Sequence, residues 1–134
     1  MMVGSGRRVL VVDDEAMVRD LLTVELKGRK VEVVAVADGL QALREVHQQR
    51  FDAVITDLHV LYLDGFDLLR QCQLVWPDLP VILLSSHLQD VVRPAMALGA
   101  AACLPKPVDI GNLIHVLDEA IARLVPSADT TRMT

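Results

Sequence analysis

RVLVVD (Arg8–Asp13), followed at once by Asp14 and Glu15, is the stretch on which the fold turns. Val9 to Val12 is an unbroken apolar run without alternation. That is the pattern of a strand buried on both faces, and such strands belong to parallel sheets covered by helices. Asp14 and Glu15 then start a helix, in which Val18, Leu21, Leu22 and Leu26 recur at helical spacing as far as Gly28, a residue suited to stop it.

The strand and helix unit then repeats. Glu32 to Ala37 (EVVAVA) is the second predicted strand, Asp38 and Gly39 the turn, and Leu40 to Gln49 a helix with Leu40, Leu43 and Val46 inward. Phe51 to Asp57 (FDAVITD) is the third strand, and a loop to Gly65 leads to a helix over Phe66 to Val75. Pro77 and Pro80 bracket the turn into a fourth strand, Val81 to Ser85, since proline is tolerated at a strand's first residue. A helix over about 91–98, a strand over Ala101 to Leu104 and a helix from Asp109 to Leu124 complete the pattern. Pro94 places the fourth helix's start near Arg93 or else kinks it. The last helix has the clearest apolar stripe: Ile110, Leu113, Ile114, Leu117, Ile121 and Leu124.

Strands alternating with helices imply an α/β domain of three layers around an open parallel sheet, each helix serving as a right-handed crossover. The expected domain is 8–125, with a flexible lead over 1–7 and a disordered tail, or the start of a linker, over 126–134. Ligands of such sheets bind beyond the carboxyl ends of the strands, where the winding reverses. Those ends carry Asp13 and Asp14, Asp57, Ser85 and Lys106, whereas the second strand contributes only Ala37. The strand order 2-1-3-4-5 brings the polar residues together and leaves the second strand aside.

The 134 residues, 52% hydrophobic and 23% charged, suit one globular domain, and 3% aromatics make its core aliphatic. A net charge of −5 with scattered basic residues argues against direct nucleic-acid binding by this segment. The apolar runs fall far short of the roughly 18 to 20 residues that cross a bilayer, and no signal-peptide pattern opens the chain. The expected location is the cytoplasm, with no membrane partner. Cys72 and Cys103 have no metal-like spacing and read as reduced thiols in or near the core.

Converging carboxylates repel, so without a counter-charge at least one should have a raised pKa. A divalent cation removes the conflict. An all-oxygen set suits Mg²⁺, with Mn²⁺ able to substitute, and a carboxylate can act as the nucleophile that forms an aspartyl-phosphate.

Four motifs together resemble the receiver domains of two-component response regulators over about Arg8 to Leu124. They are VLVVDDE (Val9 to Glu15), DAVITDLHVLYLDG (Asp52 to Gly65), VILLSS (Val81 to Ser86) and LPKP (Leu104 to Pro107). The resemblance implies a flavodoxin-like (βα)5 sandwich of the single-domain chemotaxis regulator type. It implies Asp57 as phospho-acceptor, Lys106 and Ser85 as phosphoryl-contacting groups, and Asp13, Asp14, Asp57 and the His59 main-chain carbonyl as metal ligands. It makes the Lys106-Pro107 bond a candidate cis peptide.

The implied donor is a sensor histidine kinase or phosphotransfer protein. The implied readout is a face of helix four, strand five and helix five that meets a downstream protein, an output domain or a second copy of the chain. The protein is then a switch with only self-phosphorylation and self-dephosphorylation chemistry, not an enzyme. Where receivers usually carry a Met-Pro pair the chain has Val60 and Leu61, and Cys103 stands in the place of an aromatic residue. With the aromatic relay missing, coupling is expected through the loop between strand four and helix four. His59 and His87 flank the site, where they would tune access of the hydrolytic water; His47 and His115 belong on solvated helix faces. The competing reading is a pseudo-receiver that binds partners without phosphorylation. A phosphohydrolase of the haloacid-dehalogenase type would need a second Asp at Asp-x-Asp spacing, and Glu15 stands there instead.

Overall fold

The computed structural model describes residues 6–124. Its elements are β1 (Arg8–Val12), α1 (Ala16–Lys27), β2 (Glu32–Val36), α2 (Gly39–Gln48), β3 (Ala53–Asp57), α3 (Gly65–Val75), β4 (Val81–Ser85), α4 (Leu88–Ala97), β5 (Ala102–Pro105) and α5 (Ile110–Leu124). All neighbouring strands are parallel, in the order β2-β1-β3-β4-β5. The winding therefore reverses between β1 and β3, which sets the carboxyl ends of β1, β3 and β4 side by side.

Period-two alternation divides the core into two layers. Val9 and Val11 of β1, Ala53 and Ile55 of β3, and Ile82 and Leu84 of β4 pack against Leu22 and Leu26 of α1 and Leu113, Leu117 and Ile121 of α5. Leu10, Val12, Val54, Val81 and Leu83 point the other way, onto Ala42 and Val46 of α2, Leu68, Leu69 and Cys72 of α3 and Ala95 of α4. Both faces of the central strands are thus buried, as their unbroken apolar sequence requires. Cys103 is half-buried on the α4 side, and both thiols are free.

Several boundaries differ from the sequence expectation. α4 starts at Leu88, three residues before Val91, so Pro94 lies in the helix interior rather than in a first turn near Arg93. Having no N–H, it leaves the Asp90 carbonyl without the donor four residues on. Leu40, expected inward, is 41% exposed because it sits in the first turn of α2, where Ala42 and Val46 make the buried face. Leu21 of α1 is likewise 44% exposed beside the buried Leu22.

Gly28 follows α1 but is right-handed (φ −60°), and the left-handed residue is Lys30 (φ 64°). The glycine stop occurs instead after α4, where Gly99 (φ 99°) donates to the Met96 carbonyl and Ala100 to that of Ala95. β5 runs one residue later than expected, with Pro105 paired to Ser85 on the sheet edge. The Lys106-Pro107 bond is cis. The expected lead lies outside the described residues except for Gly6 and Arg7, whose guanidinium is 3.5 Å from Asp52; the expected tail lies wholly outside them. Among the described residues no helix is long and apolar enough to cross a membrane.

Candidate functional site

Each polar side chain at the sheet's carboxyl end arrives there for a local reason. β1 ends at Val12, and Asp13 follows fully buried, its main-chain N–H bonded to the Val36 carbonyl of β2. Its Oδ1 accepts from the Glu15 N–H at 2.9 Å, an Asx turn that steers the chain into α1. Arg19, one turn into that helix, donates to the Asp13 carbonyl at 2.7 Å and holds the corner. Asp57 closes β3 and is 7% exposed, with the Thr56 hydroxyl donating to its carbonyl at 2.9 Å.

Asp13, Asp14 and Asp57 each offer an oxygen, and these oxygens lie within 4.8 Å of one another. Lys106 enters from the end of β5, where its N–H donates to the Ser85 carbonyl at 3.0 Å. Its Nζ is 3.0 Å from Asp13 Oδ2, 2.8 Å from Glu15 Oε1 and 3.5 Å from Asp57 Oδ2. Ser85 is buried at the end of β4, one residue beyond Leu84, the registered partner of Asp57; its hydroxyl accepts the His87 N–H at 2.9 Å. Ser86 is exposed, so the buried hydroxyl at this strand end is that of Ser85. His59 and His87 are exposed at the rim. His47 and His115 are exposed on helices, His47 edge-on to Trp76 and His115 3.6 Å from Glu119.

The charges respond to this crowding. Burial raises the Asp57 carboxyl above its ordinary value and the Asp13 charge adds to the effect, against the Lys106 ammonium and a hydrogen bond from the His59 main chain. Its three carboxylate neighbours raise the Lys106 pKa against the cost of burial, so the ammonium stays charged. Glu15 is lowered by Lys106. Three carboxylates therefore share one ammonium while Asp14 adds a fourth negative charge beside them, and the oxygen-only donor set with its uncompensated negative charge fits a hard divalent cation such as Mg²⁺.

The β3–α3 loop beside Asp57 is held from α2. The Gly39 N–H donates to the Leu61 carbonyl at 3.1 Å, and Leu63 donates to the same carbonyl at 2.8 Å across Tyr62, which is left-handed (φ 71°). That is the bond pattern of a γ-turn. A groove of about 850 Å³ lined by Arg7, His47, Arg50, Phe51 and Trp76 lies at the opposite, amino end of the strands and takes no part in this site.

Residues 9–118 match the family model described as the response regulator receiver domain. The chain belongs to that family. Its receivers typically are phosphorylated on an aspartate and bind Mg²⁺. The chain is 34% identical over 123 residues to the transcriptional regulatory protein GlrR of Escherichia coli (strain K12), covering 90% of this chain and 28% of that protein. It is 33% identical over 125 residues to the response regulator MprA of Mycobacterium avium (strain 104), covering 91% and 54%. It thus spans about a quarter to a half of the length of these relatives.

A receiver domain from Clostridium thermocellum superposes with a TM-score of 0.83 at 32% identity, over 87% of this chain and 95% of that one. The receiver domain of a sensor histidine kinase from Pseudomonas aeruginosa PAO1, solved with a magnesium ion coordinated in its active site cleft, gives 0.80 at 27% identity, over 88% and 99%. A receiver domain is a signalling switch rather than an enzyme in the ordinary sense.

The site residues missed from sequence are Glu15, Arg19 and Gly39. Glu15 was visible beside the acidic pair but reads as a helix start. Arg19 and Gly39 act through one hydrogen bond and one backbone approach, for which composition and spacing carry no signal.

Proposed function

We propose that this receiver accepts a phosphoryl group on Asp57 from a sensor histidine kinase or phosphotransfer protein, in a Mg²⁺-dependent step. The observation that carries the reading is the packing of Asp13, Asp14 and Asp57 oxygens within 4.8 Å of one another, with the Lys106 ammonium bridging Asp13 and Asp57.

An Asp57 carboxylate oxygen attacks phosphorus, the donor's phosphorus–nitrogen or phosphorus–oxygen bond breaks, and its electron pair leaves with the donor. An acyl phosphate results. Asp13, Asp14, Asp57 and the His59 main-chain carbonyl would hold Mg²⁺, with Mn²⁺ a substitute. When bound, the metal neutralises charge on the phosphoryl oxygens. Lys106, the one ammonium among the carboxylates, turns toward a phosphoryl oxygen. The Ser85 hydroxyl accepts from His87 and keeps its own proton to donate to another.

Phosphorylation adds roughly −1.5 to −2 charges at pH 7 to an acidic site, so these groups rearrange around it. The rearrangement shifts the population of the face built by α4, β5 and α5, which meets a downstream protein, an output domain or a second copy of the chain. Cytoplasmic action follows from the kinase donor.

The test is incubation with a small phosphodonor and Mg²⁺, read by intact mass. The wild-type chain gains one phosphoryl group and Asp57→Asn gains none. A wild-type chain that stays unmodified would instead make the domain a phosphorylation-independent interaction module.

A further inference from the structure

Glu15 is the residue before the first helical residue of α1, and its side chain caps nothing there. Exposed glutamates at such positions usually extend into water. This one reaches back across the mouth of the site to the Lys106 ammonium at 2.8 Å, the shortest of the three contacts that Nζ makes. Lys106 Nζ is 3.5 Å from Asp57 Oδ2, which is 0.7 Å farther than from Glu15 (3.5 minus 2.8), and only 13% of the lysine side chain is exposed.

An ammonium has three N–H donors. Here one is directed at Glu15 on the rim and one at the buried Asp13, and the contact with the acceptor carboxylate is the loosest. A phosphoryl oxygen that takes one of these donors therefore competes with Glu15 for it.

We infer that Glu15 is a positioning residue that tethers Lys106 to the rim and slows phosphoryl capture by Asp57. The inference rests on Asp57 being the acceptor. Glu15 is 62% exposed at the side chain, so the tether is weak and reversible, screened by salt, and able to yield when a phosphoryl group offers the ammonium a stronger partner. A tether of this kind adjusts the rate without blocking the reaction.

Two substitutions separate a tether from a simple charge effect. Glu15→Ala removes both the reach and the charge. Glu15→Asp keeps the charge and, one methylene shorter, loses the reach; aspartate is also the better helix cap, so folding is not at risk. Phosphorylation by a small phosphodonor with Mg²⁺, timed by intact mass, is expected to accelerate roughly two- to fivefold in both variants, the range in which exposed ion pairs act. The Lys106 Nζ and Cε NMR signals of the unphosphorylated protein should shift alike in both. Acceleration in Glu15→Ala alone would assign the effect to charge at the mouth and overturn the tether, as would unchanged rates in both. If the wild-type chain takes no phosphoryl group, the acceptor reading fails, and the Lys106 signals still report separately whether the contact exists.

Discussion

Asp57 is held in a state that opposes folding while its carboxyl is ionised. Burial and the neighbouring Asp13 both raise its carboxyl, and Lys106 compensates from 3.5 Å. Because the folded protein binds that proton more tightly than the unfolded chain, the ionised carboxylate opposes folding in metal-free protein, and stability rises as pH falls through the folded value, above 3.8. Asp57→Asn should therefore raise the metal-free unfolding midpoint at neutral pH by a few °C, as ~1 kcal/mol does in a domain of this size. The advantage should shrink as pH falls and wild-type Asp57 is protonated. A variant less stable than wild type at pH 7 would mean that the Lys106 contact outweighs the burial of charge. Calorimetry over a pH series reads the difference.

The convergence of Asp57, the acidic pair, the strand-end serine and the lysine was legible in the sequence, since each follows an apolar strand and the topology brings those ends together. Glu15 was not. Whether its carboxylate caps the helix, meets water or reaches a lysine ninety-one positions on depends on where the end of β5 lies.

Among the elements, the β3–α3 loop depends most on a distant one. A Cβ on Gly39 would lie 1.6 Å from the Leu63 carbonyl oxygen, so only glycine allows α2 to begin against that loop. Gly→Ala near the start of a helix ordinarily stabilises, by up to about 1 kcal/mol. Here Gly39→Ala should destabilise by about 1–3 kcal/mol, the cost of overpacking against backbone. It should also weaken Mg²⁺ binding, because the displaced loop carries His59. Denaturant unfolding and titration calorimetry measure the two effects, and a stabilised variant would show that the loop yields freely. The other elements were readable to within a few residues because their stripes are strong. Their ends were not: the carbonyl lost to Pro94 does not stop α4, whose Val91 and Ala95 are buried against the sheet. Packing outweighs propensity there.

Over the whole molecule, the parallel sheet couples the core to the acidic site. Its two apolar layers fix the strands, and the strands gather carboxylates that repel in the absence of a cation. Mg²⁺ should bind the folded chain and not the unfolded one, stabilising it by about 2.7 kcal/mol at a hundred times its dissociation constant and raising the unfolding midpoint in a concentration-dependent way. Asp14→Asn should reduce that shift while leaving the metal-free midpoint nearly unchanged, since Asp14 is exposed. An equal shift in both proteins, measured by thermal scans with added Mg²⁺, would remove Asp14 from the ligand set.

The order of apolar runs, the residues that end them and the resulting 2-1-3-4-5 sheet were present in the chain's pattern, because strands buried on both faces make a parallel helix-covered sheet and only that order gathers the polar strand ends. Which carboxylate Lys106 meets first, how α2 grips the acceptor loop and where α4 begins were settled by contacts between residues far apart in sequence. Distances of a few ångströms decide those contacts, and periodicity carries no information at that scale.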